Sequence, residues 1–195
     1  MINGNLGNAN VSVERAQCPG HEPRIVSAPL DISGEVVACG TIMSRADDGM
    51  WVRMTSETGY SIGTGDGTNT NFNGTLSENI YPGSVRVTDG NVVLVDNGSG
   101  LLTYAGETVG TVNYRTGDIV MVFDTAPADG ADVTVDYFTS PDGVLDEPTD
   151  TAQTTVGNIV IHGTVRQGAL VVGAAAAAPS EDILIAMQDK GIFPA

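Results

Sequence analysis

A chain of 195 residues carrying 24 acidic against 8 basic side chains, a formal charge of −16, is repelled by nucleic-acid phosphates and anionic lipid. Neither nucleic acid nor a membrane is therefore expected as a partner. The length allows one full domain or two small ones with adequate cores. The 25 glycines and the low share of charged residues, 16%, favour β structure with many turns over a helical protein.

The opening MINGNLGNAN is polar and carries no apolar signal-peptide core, and no apolar run, Ala174–Ala178 included, is long enough to cross a bilayer. Cys18 and Cys39 form no C-x-x-C pair and read as free thiols in a reducing compartment, so synthesis in a cytoplasm is expected. Residues 1–23 are rich in Asn and Gly and poor in apolar side chains, which predicts an arm. Its one β-capable patch is Val11-Ser12-Val13. Two readings stand: a disordered tail, or an arm that adds a strand to a partner's sheet. On the second, Val11, Ser12, Val13 and Arg15 are the candidate contact residues.

From Arg24 the pattern becomes globular. Strands are predicted at Arg24–Val26, Val36–Ala38, Thr41–Met43 and Met50–Met54, with a turn at Ala46–Gly49 and Trp51, the single tryptophan, as a core or interface anchor. Between Ser61 and Thr139 the character shifts to Gly, Thr and Asn. Ser84–Asp96 predicts a hairpin around Asp89-Gly90 or Gly90-Asn91, and Gly110–Phe123 a second one. In the latter, Ile119, Met121 and Phe123 face one way and Val120 and Val122 the other. Asp132–Tyr137 alternates strictly. Turns recur at the spacing of a β-sandwich, so 61–139 is expected to be an inserted immunoglobulin-like β-sandwich domain. It interrupts a discontinuous domain made of 24–60 and 140–195.

The C-terminal stretch combines an alternating strand, NIVIHGTV, with the one convincing amphipathic helix. Ser180 is its N-cap, Glu181 and Asp182 meet the positive end of the helix dipole, and Ile183, Leu184 and Met187 share a face. Lys190 falls in the last turn, Gly191 takes the left-handed C′ position and Ile192 returns over the helix end.

No catalytic constellation emerges. Gly63–Gly67 lacks the Lys-Ser/Thr and helix of a phosphate loop, and Asp96–Gly100 lacks the spacing and closing Glu of an EF-hand. His21 forms a Cys-x-x-His pair with Cys18, but no second pair completes a zinc site, and His162 reads as a packed or surface histidine. No enzymatic activity, cofactor or metal is expected.

Gly40-Thr41-Ile42-Met43, Gly143-Val144-Leu145, His162-Gly163-Thr164-Val165 and Lys190-Gly191-Ile192-Phe193 occur in the order of short motifs in the head decoration proteins of lambda-like tailed bacteriophages, which the outer half of this chain resembles. Gly63–Phe72, Pro82–Gly90 and Asn113–Tyr137 resemble β-sandwich modules of phage structural proteins. The resemblance implies a small β-rich core with one short C-terminal α-helix. It also implies a non-enzymatic virion protein that binds the outside of the expanded phage head as a trimer and cements neighbouring major capsid protein subunits. Trp51, Ile183, Met187, Ile192 and Phe193 are then candidates for core or subunit contacts. Glycan or host-receptor binding by the insert is the alternative expectation, motivated by its exposed Asn, Thr and Tyr.

Overall fold

The computed structural model describes residues 14–195. The chain forms β1 (Arg24–Pro29), β2 (Val36–Val37), β3 (Ile42–Arg45) and β4 (Trp51–Arg53), then β5 (Ser56–Thr64), β6 (Asn71–Thr75), β7 (Arg86–Thr88) and β8 (Val93–Asp96). There follow β9 (Leu101–Tyr104), β10 (Glu107–Val112), β11 (Asp118–Val122) and β12 (Asp132–Phe138). The C-terminal part holds β13 (Gly143–Leu145), β14 (Thr149–Asp150), β15 (Val156–Val165), α1 (Glu181–Asp189) and β16 (Ile192–Pro194). The class is mainly β with one short C-terminal α-helix among the described residues, as the composition predicts.

The first and last thirds of the chain share one sheet, ordered β1-β15-β13-β3-β4, with β16 alongside β15. β13 lies antiparallel to both β3 and β15, and β16 runs parallel to β15. One side of this sheet packs Ile42, Val144, Val160 and Val165 against Ile183, Ala186 and Met187 of α1 and against Ile192. Another cluster holds Leu30, Val37, Met43, Trp51, Leu145 and Ile159. β2 and β14 make a separate two-stranded ribbon.

The middle of the chain forms one continuous eight-stranded path, β5-β12-β7-β8-β9-β10-β11-β6. Its end strands come together: a Cβ on Gly63 would lie 3.2 Å from the Phe72 ring, and one on Gly74 3.2 Å from Ile62. The result is a near-barrel around its own core, which includes Val87, Leu94, Leu102, Ile119, Met121, Val133 and Val135. The two halves that turn spacing suggested as facing sheets do meet in one core, but β7 and β12 join them into a single hydrogen-bonded path. The first strand of this sheet starts at Ser56, ahead of the compositional shift at Ser61, because backbone pairing of Glu57 and Ser56 with Tyr137 and Phe138 needs no apolar side chains.

Local sequence accounts for the turns. Gly90 has φ +91° and the buried Asp89 carboxylate accepts the N–H groups of Asn91 and Val92, closing the β7–β8 turn. The β9–β10 turn has both central residues in the left-handed region, Ala105 at φ +51° and Gly106 at φ +91°. Alanine is a poor signal for such a turn, so β9 has no counterpart among the predicted strands.

Candidate functional site

β15 is ten residues long, and near its end the segment that follows Glu14 is laid down beside it. Ala16 N–H donates to the Asp146 carbonyl at 2.9 Å, Cys18 N–H to Thr164 O at 3.1 Å, and Arg166 N–H to Ala16 O at 2.8 Å. Thr164 N–H returns to His21 O at 3.3 Å, while His21 N–H donates to Thr164 Oγ1 at 2.6 Å. Two glycines allow this approach. A Cβ on Gly163 would sit 2.7 Å from Pro23 Cα, and one on Gly20 would sit 2.3 Å from Thr164 Oγ1. The arm expected over 1–23 is thus a docked strap from Ala16 onward. Polar composition predicts too little apolar burial to hold such a segment, but a ladder of backbone bonds holds it instead. Val11, Ser12 and Val13 lie outside the described residues.

Asp146 fixes the strap's start. Its carboxylate is wholly buried, and it accepts from Arg15 Nη1 at 2.8 Å, Gln17 N–H at 3.1 Å and Gln17 Nε2 at 3.2 Å. A buried carboxylate is costly unless paired in this way. Arg15 also pairs with Glu147, and Arg166 donates to the Arg15 carbonyl. Arg15, a candidate partner contact, pairs within its own chain while its side chain stays 46% exposed. Its sequence position in a polar arm gave no sign of a buried acid 131 residues away. Beneath the strap, Cys39 donates its S–H to Asp146 O at 3.4 Å, and burial pushes the thiol pKa up.

At the strap's other end three rings meet. His21 and His162 stand edge to face with centroids 5.5 Å apart, and Phe193 lies 5.0 Å from His21 and 5.9 Å from His162. Gly191, φ +80°, passes close over His162: a Cβ there would lie 2.6 Å from Nδ1. The predicted cap is formed, with Ser180 Oγ accepting from Ile183 N–H, although Lys190 is the C-cap residue rather than part of the last turn. Among the described residues, no three His, Cys, Asp or Glu side chains come together as a metal-binding group.

The remaining candidates are packed within their own chain. Trp51 is buried, with Gly143 pressed against its ring, and Ile183, Met187 and Ile192 are buried around α1. Phe193 is half-buried in the ring cluster. The strings that imitate ligand loops are turns. Asp66 accepts from Asn69 and Thr68 N–H groups, which hold its carboxyl below the usual range. Asp96 accepts from Gly83 N–H, Gly98 N–H and Tyr114 Oη.

Sequence reasoning did not find the junction between the two sheets. Tyr81 stacks on Phe138, 5.4 Å apart, and donates to Asp189 of α1 at 2.8 Å. Burial and that carboxylate push the Tyr81 phenol up to about 12. Asp142 accepts from Lys190 Nζ at 3.0 Å and from Asn79 Nδ2 at 2.9 Å. Ser44 Oγ, Thr139 Oγ1 and the Ser140 carbonyl form a buried polar knot. Their partners lie tens of residues away in sequence, and only the fold brings them together.

Fold and site together describe a mainly β protein in which a near-barrel is seated on an open sheet and the strap from Ala16 onward is pinned beside the end of β15. Comparison with protein-family models, with curated proteins and with solved structures gives no match.

Proposed function

We propose that this chain is a structural protein of a tailed-phage head, attaching to the outer surface of the expanded capsid and cementing neighbouring major capsid protein subunits as a trimer. One observation carries the reading. Of the four short segments that resemble decoration-protein motifs, Gly40–Met43 pairs with Gly143–Leu145 and His162–Val165 with Lys190–Phe193, and both pairs belong to one sheet.

The physical logic is that of a clamp. Internal pressure pushes capsid subunits apart, and a protein touching several of them gains from multivalent attachment. The strap is fixed to the sheet from Ala16 onward, so a partner that grips the chain ahead of it is tied to a rigid base. An acidic outward face costs little where it meets only solvent.

The test is co-sedimentation of the purified full chain with expanded and with immature capsids. Binding to expanded capsids, weakened by removal of residues 1–13, is expected. Failure to bind either form overturns the proposal, and a glycan-array signal without capsid binding would assign the chain to surface recognition instead.

A further inference from the structure

The chain has two histidines, and the fold puts them together. His21 stands on the strap and His162 on β15, with ring centroids 5.5 Å apart and ring planes at 89°. Phe193 packs against both rings and holds them in place. Among the described residues neither imidazole makes a hydrogen bond to a protein group; the one bond at His21 in this cluster comes from its backbone N–H. His21 is exposed, and no unpaired polar atom of the half-buried His162 is sealed from solvent. The ring nitrogens are therefore open to a ligand. His162 Nδ1 lies against the Gly191 backbone, which leaves Nε2, on the far side of the ring, as the accessible donor.

We propose that His21 and His162 are a two-imidazole site for a divalent transition ion of the zinc class, which clips the strap to β15. The spacing fits. An ion held about 2.0–2.1 Å from one nitrogen of each ring, at a tetrahedral angle, places the two centroids roughly 5.2 Å apart. A neutral imidazole binds through the in-plane lone pair of one nitrogen, so perpendicular rings can share one ion. Imidazole donors select zinc-like ions, whereas Mg²⁺ and Ca²⁺ take oxygen ligands. Water completes the shell, because no third His, Cys, Asp or Glu joins the pair among the described residues. With two protein ligands in place of four, and Arg24 in register with His162, the affinity is modest, with a dissociation constant on the order of 10⁻⁵–10⁻⁴ M. The sequence shows only the Cys18-x-x-His21 pair; the second imidazole arrives from β15 through the fold. Because the ion bridges two segments otherwise joined by backbone bonds, binding it favours the docked strap.

The experiment is titration of the full chain with zinc chloride from about 1 μM to about 1 mM, followed by calorimetry and by peptide-level hydrogen exchange. Saturable binding is expected, and at about ten times the dissociation constant opening of residues 15–22 becomes about tenfold rarer. His21→Gln and His162→Gln each weaken binding by about tenfold or more. The His21 side chain is exposed, so His21→Gln leaves the metal-free melting temperature unchanged and tests the site without unfolding it. Calcium at the same concentrations gives no protection of the strap, and Cys18→Ser keeps the zinc effect. Absence of saturable binding, wild-type affinity in His21→Gln, or a zinc effect lost in Cys18→Ser, which marks a thiol site, overturns the proposal. All of this is read on the isolated chain, so it stands or falls apart from capsid attachment.

Discussion

Replacing Asp146 by Ala removes the acceptor that holds the start of the strap, and its cost can be worked from the contacts. The carboxylate is fully buried and takes three hydrogen bonds, one from Arg15 and two from Gln17. Breaking a buried ion pair costs about 3–5 kcal/mol when the surviving charge stays buried. Here the Arg15 side chain is 46% exposed and keeps Glu147, so it is resolvated and the cost is smaller. What remains is loss of a charge-assisted bond and an N–H of Gln17 left under the strap, together about 2–3 kcal/mol. For a chain of this size that lowers the melting temperature by roughly 4–12 °C if the strap unfolds with the rest. If it peels first, hydrogen exchange shows residues 15–22 losing protection while β13 and β15 keep theirs. Thermal denaturation and peptide-level hydrogen exchange of wild type, Asp146→Ala and Asp146→Asn measure both. The Asn variant retains an acceptor and should fall between. A melting temperature within 1 °C of wild type, with unchanged strap protection, would refute the anchoring role.

Gly191→Val places a β-branched residue at φ +80° with its Cβ against His162, and should destabilise by about 2 kcal/mol or more in chemical denaturation; an unchanged midpoint would count against the cap. Ala105→Asn should stabilise by about 0.5–1 kcal/mol, because Asn tolerates the left-handed position of the β9–β10 turn better than Ala, and a loss of stability would show that the turn is not of this type. Tyr81 and Tyr114 both have phenols raised to about 12, chiefly by burial and then by Asp189 and Asp96 respectively. A raised pKa means the folded state holds the proton more tightly, so this stability is present below the ordinary phenol range near 10 and is lost as pH rises toward 12. Melting temperature should therefore fall across that window, and less steeply in Tyr114→Phe; a parallel fall in that variant would refute the assignment. Deleting 61–139 severs β5 and removes Tyr81, Phe138 and Thr139 from the junction, so the product should lack a cooperative thermal transition, whereas a cooperative one would show that the outer sheet stands alone.

Alternation and turn chemistry were enough to place many strands. Ile119, Met121 and Phe123 are buried while Val120 and Val122 are exposed, as period-two patterning requires, because burial on one face of a strand is written into consecutive residues. The capped helix was legible for the same reason: Ser180, Gly191 and the apolar positions between them act within a few residues of one another. β9 was not legible, since its turn uses Ala105 where Asn, Asp or Gly would give the signal.

What the sequence determined by itself was local: a mainly β class, most hairpins, the helix and its caps, and a net charge of −16. Tertiary structure alone decided three things. It closed the middle strands into one near-barrel path, because strand pairing order depends on contacts between residues tens of positions apart. It turned the polar segment after Glu14 into a strap, because the partners of its backbone groups lie on β15 and beside Asp146. And it paired Arg15 with Asp146, because a carboxylate buried on a distant loop needs a charge beside it.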